Sequence, residues 1–413
     1  MALDPEEMKK RRALRQQQRQ KKQQQNRKSA LKLAIAGVAV VLCAVLVFVI
    51  AGSGREKKPA EIQPSESQPQ QEPTTITLTV AGDLNITENV VNAGGVNYDF
   101  TNAFLDVAHL LADGDITVIN LEGNLCGAPY GTDRSAPQGM MEALKRAGVD
   151  FVQLANSYSI YKGMDGLKST ISGVRQAGMT PLGVYTDTAA AKAGGGYTLC
   201  RVQGVKIAFV AFTKGMDGMA LPAGNEGCVN ILYEDYSTDY QKIDREQINR
   251  VLDAVAKEEP DVTVALLHWG SEYNDTVSKT QENICKLMQE KGVDAIIGTH
   301  SHYVQKMQFD PVAGTFIAYS LGDFFGDAGR AGSEYSVILN LEITKDNISG
   351  ETRISDYNYT PIFTVVEEEK PLRILRITEA MKAFEEGYLD RVSQKTYDGM
   401  VYALKRIEAR VNG

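Results

Sequence analysis

An α/β fold with a mixed, strongly buried sheet is predicted by two regularities of this chain. From about Thr75 onward, short apolar runs rich in β-branched residues alternate with segments of helical spacing. Most of these runs also stop at a residue able to do chemistry: Asp83, Glu122, Asn156, His268, the pair His300 and His302, and Asp323. In open α/β sheets the carboxyl ends of strands are where ligands are held, so the candidates share one address.

The elements before the domain are read from composition. Residues 1–30 form a basic, glutamine-rich tail, with Lys9, Lys10, Arg11, Arg12, Arg15, Arg19, Lys21, Lys22, Arg27 and Lys28, too polar to fold alone. Residues 31–52 read as a transmembrane helix, because Leu33 to Ala51 is apolar without a charge and spans the ~20 residues needed to cross a bilayer core. A cleaved signal peptide would carry a shorter apolar region, about 7 to 15 residues. The Lys/Arg excess before the helix predicts a single-pass cell-membrane protein with a cytoplasmic amino terminus and an extracytoplasmic carboxyl-terminal domain. Residues 53–74, punctuated by Pro59, Pro64, Pro69 and Pro73, read as a disordered extracytoplasmic linker.

Within the expected domain, residues 75–365, strands are predicted at Thr75 to Ala81, Asp115 to Leu121, Val149 to Leu154, Tyr197 to Val202, Lys206 to Phe212, Val262 to Leu267, Asp294 to Ile297 and Phe316 to Leu321. Helices are predicted at Phe104 to Ala112, Ala136 to Ala147, Leu167 to Ala177, Asp244 to Glu258 and Gln281 to Lys291, the third ending at Gly178 as a glycine cap. Gly194-Gly195-Gly196 reads as a turn, since it lacks the lysine and spacing of a phosphate loop. Glu367-Glu368-Glu369-Lys370 reads as a solvated linker opening a carboxyl-terminal helical segment, residues 366–413.

Charge and cysteine usage exclude several classes. The net charge of −8 includes the basic tail, so the external domain is more acidic still, which argues against nucleic acid as a partner. No Cys-x-x-Cys pattern is present, and the spacing of Cys126, Cys200, Cys228 and Cys285 favours no pairing. Half of the four histidines fall two positions apart in Gly298-Thr299-His300-Ser301-His302, where both rings can turn toward one metal. Imidazole with carboxylate and no thiolate suits Mn, Zn or Fe, one ion or two. A single His or Asp at a strand end is usually a hydrogen-bonded turn residue; several at one edge are harder to explain that way.

The ordered series Gly82-Asp83, Asn120-Leu121-Glu122, Ala155-Asn156, His268-Trp269-Gly270-Ser271-Glu272-Tyr273, Gly298 to Gln305 and Tyr319-Ser320-Leu321-Gly322-Asp323-Phe324 resembles the CapA family of poly-gamma-glutamate capsule synthesis proteins. That resemblance implies a calcineurin-like metallophosphoesterase four-layer sandwich, two mixed sheets flanked by helices, preceded here by the one transmembrane helix. It implies Glu122 as a carboxylate bridging two ions, with Asp83 and His302 on one and His268 and His300 on the other. Asn120, Asn156, Trp269, Gln305 and Asp323 are the expected substrate contacts, with Trp269 alternatively a core residue and Asp323 a turn residue or extra ligand. Glu272 and Tyr158 are the expected catalytic positions.

The chain departs from the family at one motif. Where the family reads Ala-Asn-Asn-His, two residues, then Asp, this chain reads Ala155-Asn156-Ser157-Tyr158-Ser159-Ile160-Tyr161. A tyrosine, with an ordinary pKa of about 10, is poorly matched to reversible proton transfer near neutral pH. Two functions are therefore expected to compete. One is a protein assisting synthesis, export or attachment of an anionic cell-envelope polymer beside other capsule-synthesis membrane proteins, through binding at a degenerate metal site. The other is an active metal-dependent phosphoesterase, polymer hydrolase or transferase.

Overall fold

The computed structural model describes residues 72–412, apart from Glu369 and residues 389–391. The expected basic tail and membrane span, and the linker up to residue 71, lie outside the described residues. Among the described residues, no helix is long and apolar enough to cross a membrane.

Fourteen strands are found among the described residues: β1 Thr74–Asn85, β2 Ile116–Glu122, β3 Phe151–Gln153, β4 Thr180–Leu182, β5 Tyr197–Val202, β6 Val205–Thr213, β7 Val262–His268, β8 Ala295–Thr299, β9 Met307–Asp310, β10 Thr315–Ala318, β11 Asp323–Phe325, β12 Tyr335–Lys345, β13 Thr352–Val365 and β14 Arg373–Arg376. The longer helices are α1 Gln138–Ala147, α2 Gly163–Gln176, α3 Arg245–Lys257, α4 Lys279–Gln289, α5 Ile377–Glu385 and α6 Gln394–Asn412.

Two mixed sheets result. The first runs β14-β13-β12-β1-β2-β3-β4 with β11 also paired to β1, and the second runs β5-β6-β7-β8-β10-β9. The β1 to β4 and β6-β7-β8-β10 pairings are parallel, as the intervening helices require. Strand alternation sorts the core into layers. Ile76, Leu78 and Val80 of β1 share the space between the sheets with Phe209, Val264 and Leu266, while Val210, Phe212, Ala265 and Leu267 face the other way. Leu144 of α1 and Leu167 and Ile171 of α2 cover the outer face of the first sheet, against Ile119, Leu121 and Val152. Val251 and Leu252 of α3 and Ile284 and Met288 of α4 cover the outer face of the second. The order helices, sheet, sheet, helices is the four-layer arrangement expected.

Local chemistry sets the helix boundaries. Helix α4 opens on a reciprocal capping box between Ser278 and Gln281, and α1 closes on Gly148 in the left-handed region. The helix expected over Phe104 to Ala112 is instead two short pieces, Thr101–Phe104 and Ala108–Asp113.

Three differences from the sequence reading concern the carboxyl-terminal third. Strands β12 and β13 form the longest antiparallel pair and fall outside the strands predicted. The segment expected to be helical begins with β14, which pairs with β13, and its helices place Ile377, Met400, Ala403, Ile407 and Val411 in the core between the sheets. Glu367, expected in a solvated linker, is an anchor: its carboxylate accepts from Lys370 Nζ at 2.8 Å, the Ser393 amide at 3.0 Å and Thr396 Oγ1 at 3.1 Å. Helix α6 also reaches the loop after β7, where Arg406 and Arg410 both donate to Asp275 Oδ2 at 3.1 Å.

Candidate metal centre

The carboxyl ends of β1, β2, β7 and β8 meet at one buried point. Asp83 follows Gly82, where β1 passes so close to Gly322 that a Cβ at Gly82 would sit 1.9 Å from the Gly322 carbonyl oxygen. That approach lets the Asp83 amide donate to the Gly322 carbonyl at 3.1 Å and sets Asp83 opposite Asp323 across the β1–β11 pair. The two Gly-Asp dipeptides are thus packed against each other by the absence of side chains at their glycines.

Five ionisable side chains converge here with almost no solvent contact: Asp83 and His268 at 0%, Glu122 at 1%, His300 and His302 at 3% exposure. Burying such groups costs several kcal/mol per ion, on the order of what a whole domain has to spare, so their assembly marks a functional centre rather than a stabilising one. Two groups of potential ligands share Glu122: Glu122 with His268 and His300, and Asp83 with Glu122 and His302.

In the first group the rings meet edge to face at 61°, His300 Nδ1 lying 3.0 Å from His268 Nε2, and His268 Nε2 lies 3.3 Å from Glu122 Oε1. Thr299 Oγ1, 3.1 Å from His268 Nδ1, orients that ring. Burial brings His268 down to about 4, and burial with the neighbouring charges holds His300 well below the ordinary range. Ser157 Oγ joins this group at 3.0 Å from His268 Nε2 and 3.5 Å from His300 Nδ1.

In the second group His302 is held by Asp323, its Nδ1 2.7 Å from Asp323 Oδ1. Burial opposes a charged ring there, but Asp323, then Glu122 and Asp83, overcome it and push His302 up to about 11. Burial, with Glu122 beside it, raises Asp83 to about 7. Burial likewise raises Glu122.

The donor set fits a divalent cation. It holds two carboxylates and three imidazoles without thiolate, and Glu122 Oε2 and His300 Nε2 are buried without a hydrogen-bond partner. A divalent cation held by these residues supplies Lewis acidity and lowers the pKa of a bound water.

The structure shows what holds the other expected site residues. Asn120 and Asn156 are scaffold: Asn120 Nδ2 donates to Asp83 Oδ1, and Asn156 Nδ2 donates to Asn120 Oδ1 at 3.2 Å and to the Leu121 carbonyl. Trp269 takes the core alternative, fully buried, stacked on Tyr319 and donating to its carbonyl at 2.9 Å. Gln305 is buried and donates to the Asn274 carbonyl at 2.8 Å, fastening the loop after β7. Asp323 is placed against His302, its Oδ1 2.7 Å from the ring Nδ1.

Glu272 is exposed at the rim, its charge reaching Glu122, Tyr158 and His268. Tyr158 is half-buried; burial raises it to about 12, and its ring lies 4.7 Å from the Arg134 guanidinium. Arg134 and Lys214 were not predicted from sequence, because each is brought to the centre by tertiary packing from a segment with no motif of its own, and Thr299, though inside the His300–His302 motif, was given no role there.

A family model, described as bacterial capsule synthesis protein PGA_cap, matches residues 77–328. The chain belongs to this family. Among its relatives, the capsule biosynthesis protein CapA of Bacillus anthracis is 27% identical over 321 residues, covering 75% of this chain and 73% of that protein. The PGA biosynthesis protein CapA of Bacillus subtilis (strain 168) is 26% identical over 206 residues, half of each chain.

Among solved structures, the calcineurin-like phosphoesterase YfkN of Bacillus subtilis is similar at 15% identity and a TM-score of 0.44, covering 82% of this chain and 98% of that one. A novel phosphatase of Mycoplasma pneumoniae is similar at 13% identity and a TM-score of 0.45, covering 71% and 95%. At those scores the likeness adds nothing to the strand order described above. The PGA_cap match contains all five candidate ligands and stops before β12, β13, β14 and the helices α5 and α6.

Proposed function

We propose that this chain is a membrane-anchored, extracytoplasmic capsule-synthesis protein that binds an anionic cell-envelope polymer of poly-gamma-glutamate type. Binding occurs at a metal-bearing centre with little hydrolytic power, beside other membrane proteins of the same system. The observation that carries this is Tyr158. It stands where the family's general acid is expected, its hydroxyl pushed up to about 12 and its ring occupied by Arg134. Losing such an acid removes roughly 10²–10⁴-fold of rate while leaving Asp83, Glu122 and the three histidines in place. The anchor rests on the apolar run Leu33 to Ala51 and the basic tail before it.

A second reading, an active dinuclear phosphoesterase or polymer hydrolase, is favoured by the completeness of both ligand groups around Glu122. Elemental analysis of the full chain in detergent, with phosphomonoester and phosphodiester assays under added Mn or Zn, separates the two. Bound metal lost in His300→Ala, polymer binding and no turnover above that variant support the proposal. Metal-dependent turnover abolished by His300→Ala establishes the second reading instead.

A further inference from the structure

Arg134 is a half-buried cation that forms no ion pair among the described residues, although its charge reaches Glu122. Its backbone is over-determined. Arg134 and Asp133 are consecutive non-glycine residues at φ 57° and 53°. The Asn124 amide donates to the Arg134 carbonyl, and Asn124 Nδ2 to the Asp133 carbonyl, both at 2.8 Å. Such conformations persist only where the surroundings impose them, and here the loop directly after Glu122 does so.

The side chain is equally fixed. Nη1 donates to Asn85 Oδ1 at 2.7 Å and to the Ile86 carbonyl at 3.2 Å, while the guanidinium lies over the Tyr158 ring. Both protons of Nη1 are used. The opposite edge, Nε with Nη2, is the one that grips a carboxylate through two parallel hydrogen bonds, and it has no acceptor among the described residues. Tyr158 follows Ser157, which contacts His268 and His300, Asn85 pairs with Glu122 across β1 and β2, and the Arg134 charge reaches Glu122, so the guanidinium borders the centre already described.

We propose that Arg134, carried on the ring of Tyr158, is the specificity-determining residue that grips a carboxylate of the anionic ligand at this centre. The assignment rests on the reading that the centre receives a carboxylate polyanion. The tyrosine at the departed motif then acts as a platform: an aromatic face holds a guanidinium flat, and a neutral hydroxyl does not repel the anion. Arg330 supplies a comparison. Its guanidinium lies 4.3 Å over Tyr273, which stacks on His302, but Arg330 is exposed and acts through solvent.

The test is fluorescence anisotropy of a short γ-linked glutamate oligomer with the full chain in detergent, metal-stripped and Mn-loaded, and a neutral γ-linked glutamine oligomer as control. Arg134→Ala is expected to weaken binding about tenfold to hundredfold, more than Arg330→Ala does. Arg134→Lys, which keeps the charge and a donor for the Ile86 carbonyl, should lose most of the same affinity because the fork is gone. Tyr158→Ala should weaken binding more than Tyr158→Phe, which keeps the ring. Melting temperatures check that each variant folds. Wild-type binding that survives Arg134→Ala and Arg134→Lys, or that falls equally in Arg134→Ala and Arg330→Ala, overturns the assignment alone. Failure of the wild-type chain to prefer the glutamate oligomer sinks the polyanion reading and this inference with it.

Discussion

The two halves of the centre use the same residue type in opposite charge states. His268 and His300 lie against each other, brought low by burial, whereas His302, almost as buried, is pushed up to about 11. What differs is a dedicated carboxylate. Asp323 sits 2.7 Å from His302, while the carboxylates nearest His268 are Glu122 at 3.3 Å and Asp83 at 3.8 Å. Burial therefore favours neutral imidazoles, the form that binds a cation, and at His302 the close Asp323, with Glu122 and Asp83 behind it, reverses that direction. A charged ring must give up its proton before it can act as a ligand, so the halves are not equivalent toward metal.

The largest expected effect comes from rebuilding the first half. Ser157→Asn combined with Tyr158→His adds an amide ligand and an imidazole acid beside His268 and His300, and should raise phosphodiester turnover with Mn by about 10²-fold or more. Turnover at the wild-type level in a folded, metal-loaded double variant would mean that Tyr158 is not what limits the chemistry.

Making the halves alike is the second test. Asp323→Asn removes the partner that charges His302, so its ring should become neutral at pH 7, at a stability cost of about 3 kcal/mol. The sign follows from the raised folded-state value: the pair contributes fully below the ordinary histidine pKa and that contribution is lost as pH rises through about 11. Ring ¹⁵N shifts of the chelator-treated chain, with urea unfolding at pH 7, report both quantities. A His302 ring still charged in the variant would assign the effect to Glu122 and Asp83 instead.

The smallest effect lies outside the centre and contrasts two carboxyls. Asp83 is raised to about 7 by burial beside Glu122. For Glu367 burial also acts upward, but hydrogen bonds from Lys370, Ser393 and Thr396 overcome it and bring the group to about 2. A depressed carboxylate contributes stability above its ordinary pKa of 4.5 and loses it as pH falls toward about 2. Glu367→Gln should therefore lower the urea midpoint near pH 6 and show a smaller further drop between pH 4.5 and 2 than the wild type. Equal acid sensitivity in both proteins would show that α6 is anchored by packing alone.

The ends of β1, β2, β7 and β8 were legible because the last apolar residue of a run announces where the chain leaves the sheet, and Asp83, Glu122, His268 and His300 follow or occupy those exits. Direction was not legible. Trp269 and Gln305 sit inside the motifs that carry the ligands, yet alternation along the chain turns Trp269 into the core, and Gln305 is spent on the loop carbonyl of Asn274. Arg134 was invisible for the opposite reason: nothing around Gly131-Thr132-Asp133-Arg134 marks it, and only tertiary contacts with Asn124 and Asn85 bring it to Tyr158. The alternation of Tyr335 to Lys345 carried the signal for β12, with Val337, Leu339, Leu341 and Ile343 buried on one face.

The shared grip of Arg406 and Arg410 on Asp275 gives the centre a brace from beyond the region that the family model spans. Arg410 also lies 4.9 Å over Tyr303, whose ring meets Tyr273, which in turn stacks on His302. A chimera joined at residue 328 would thus inherit every ligand and leave the strut behind: the unit that is recognisable in sequence is smaller than the unit that is mechanically complete.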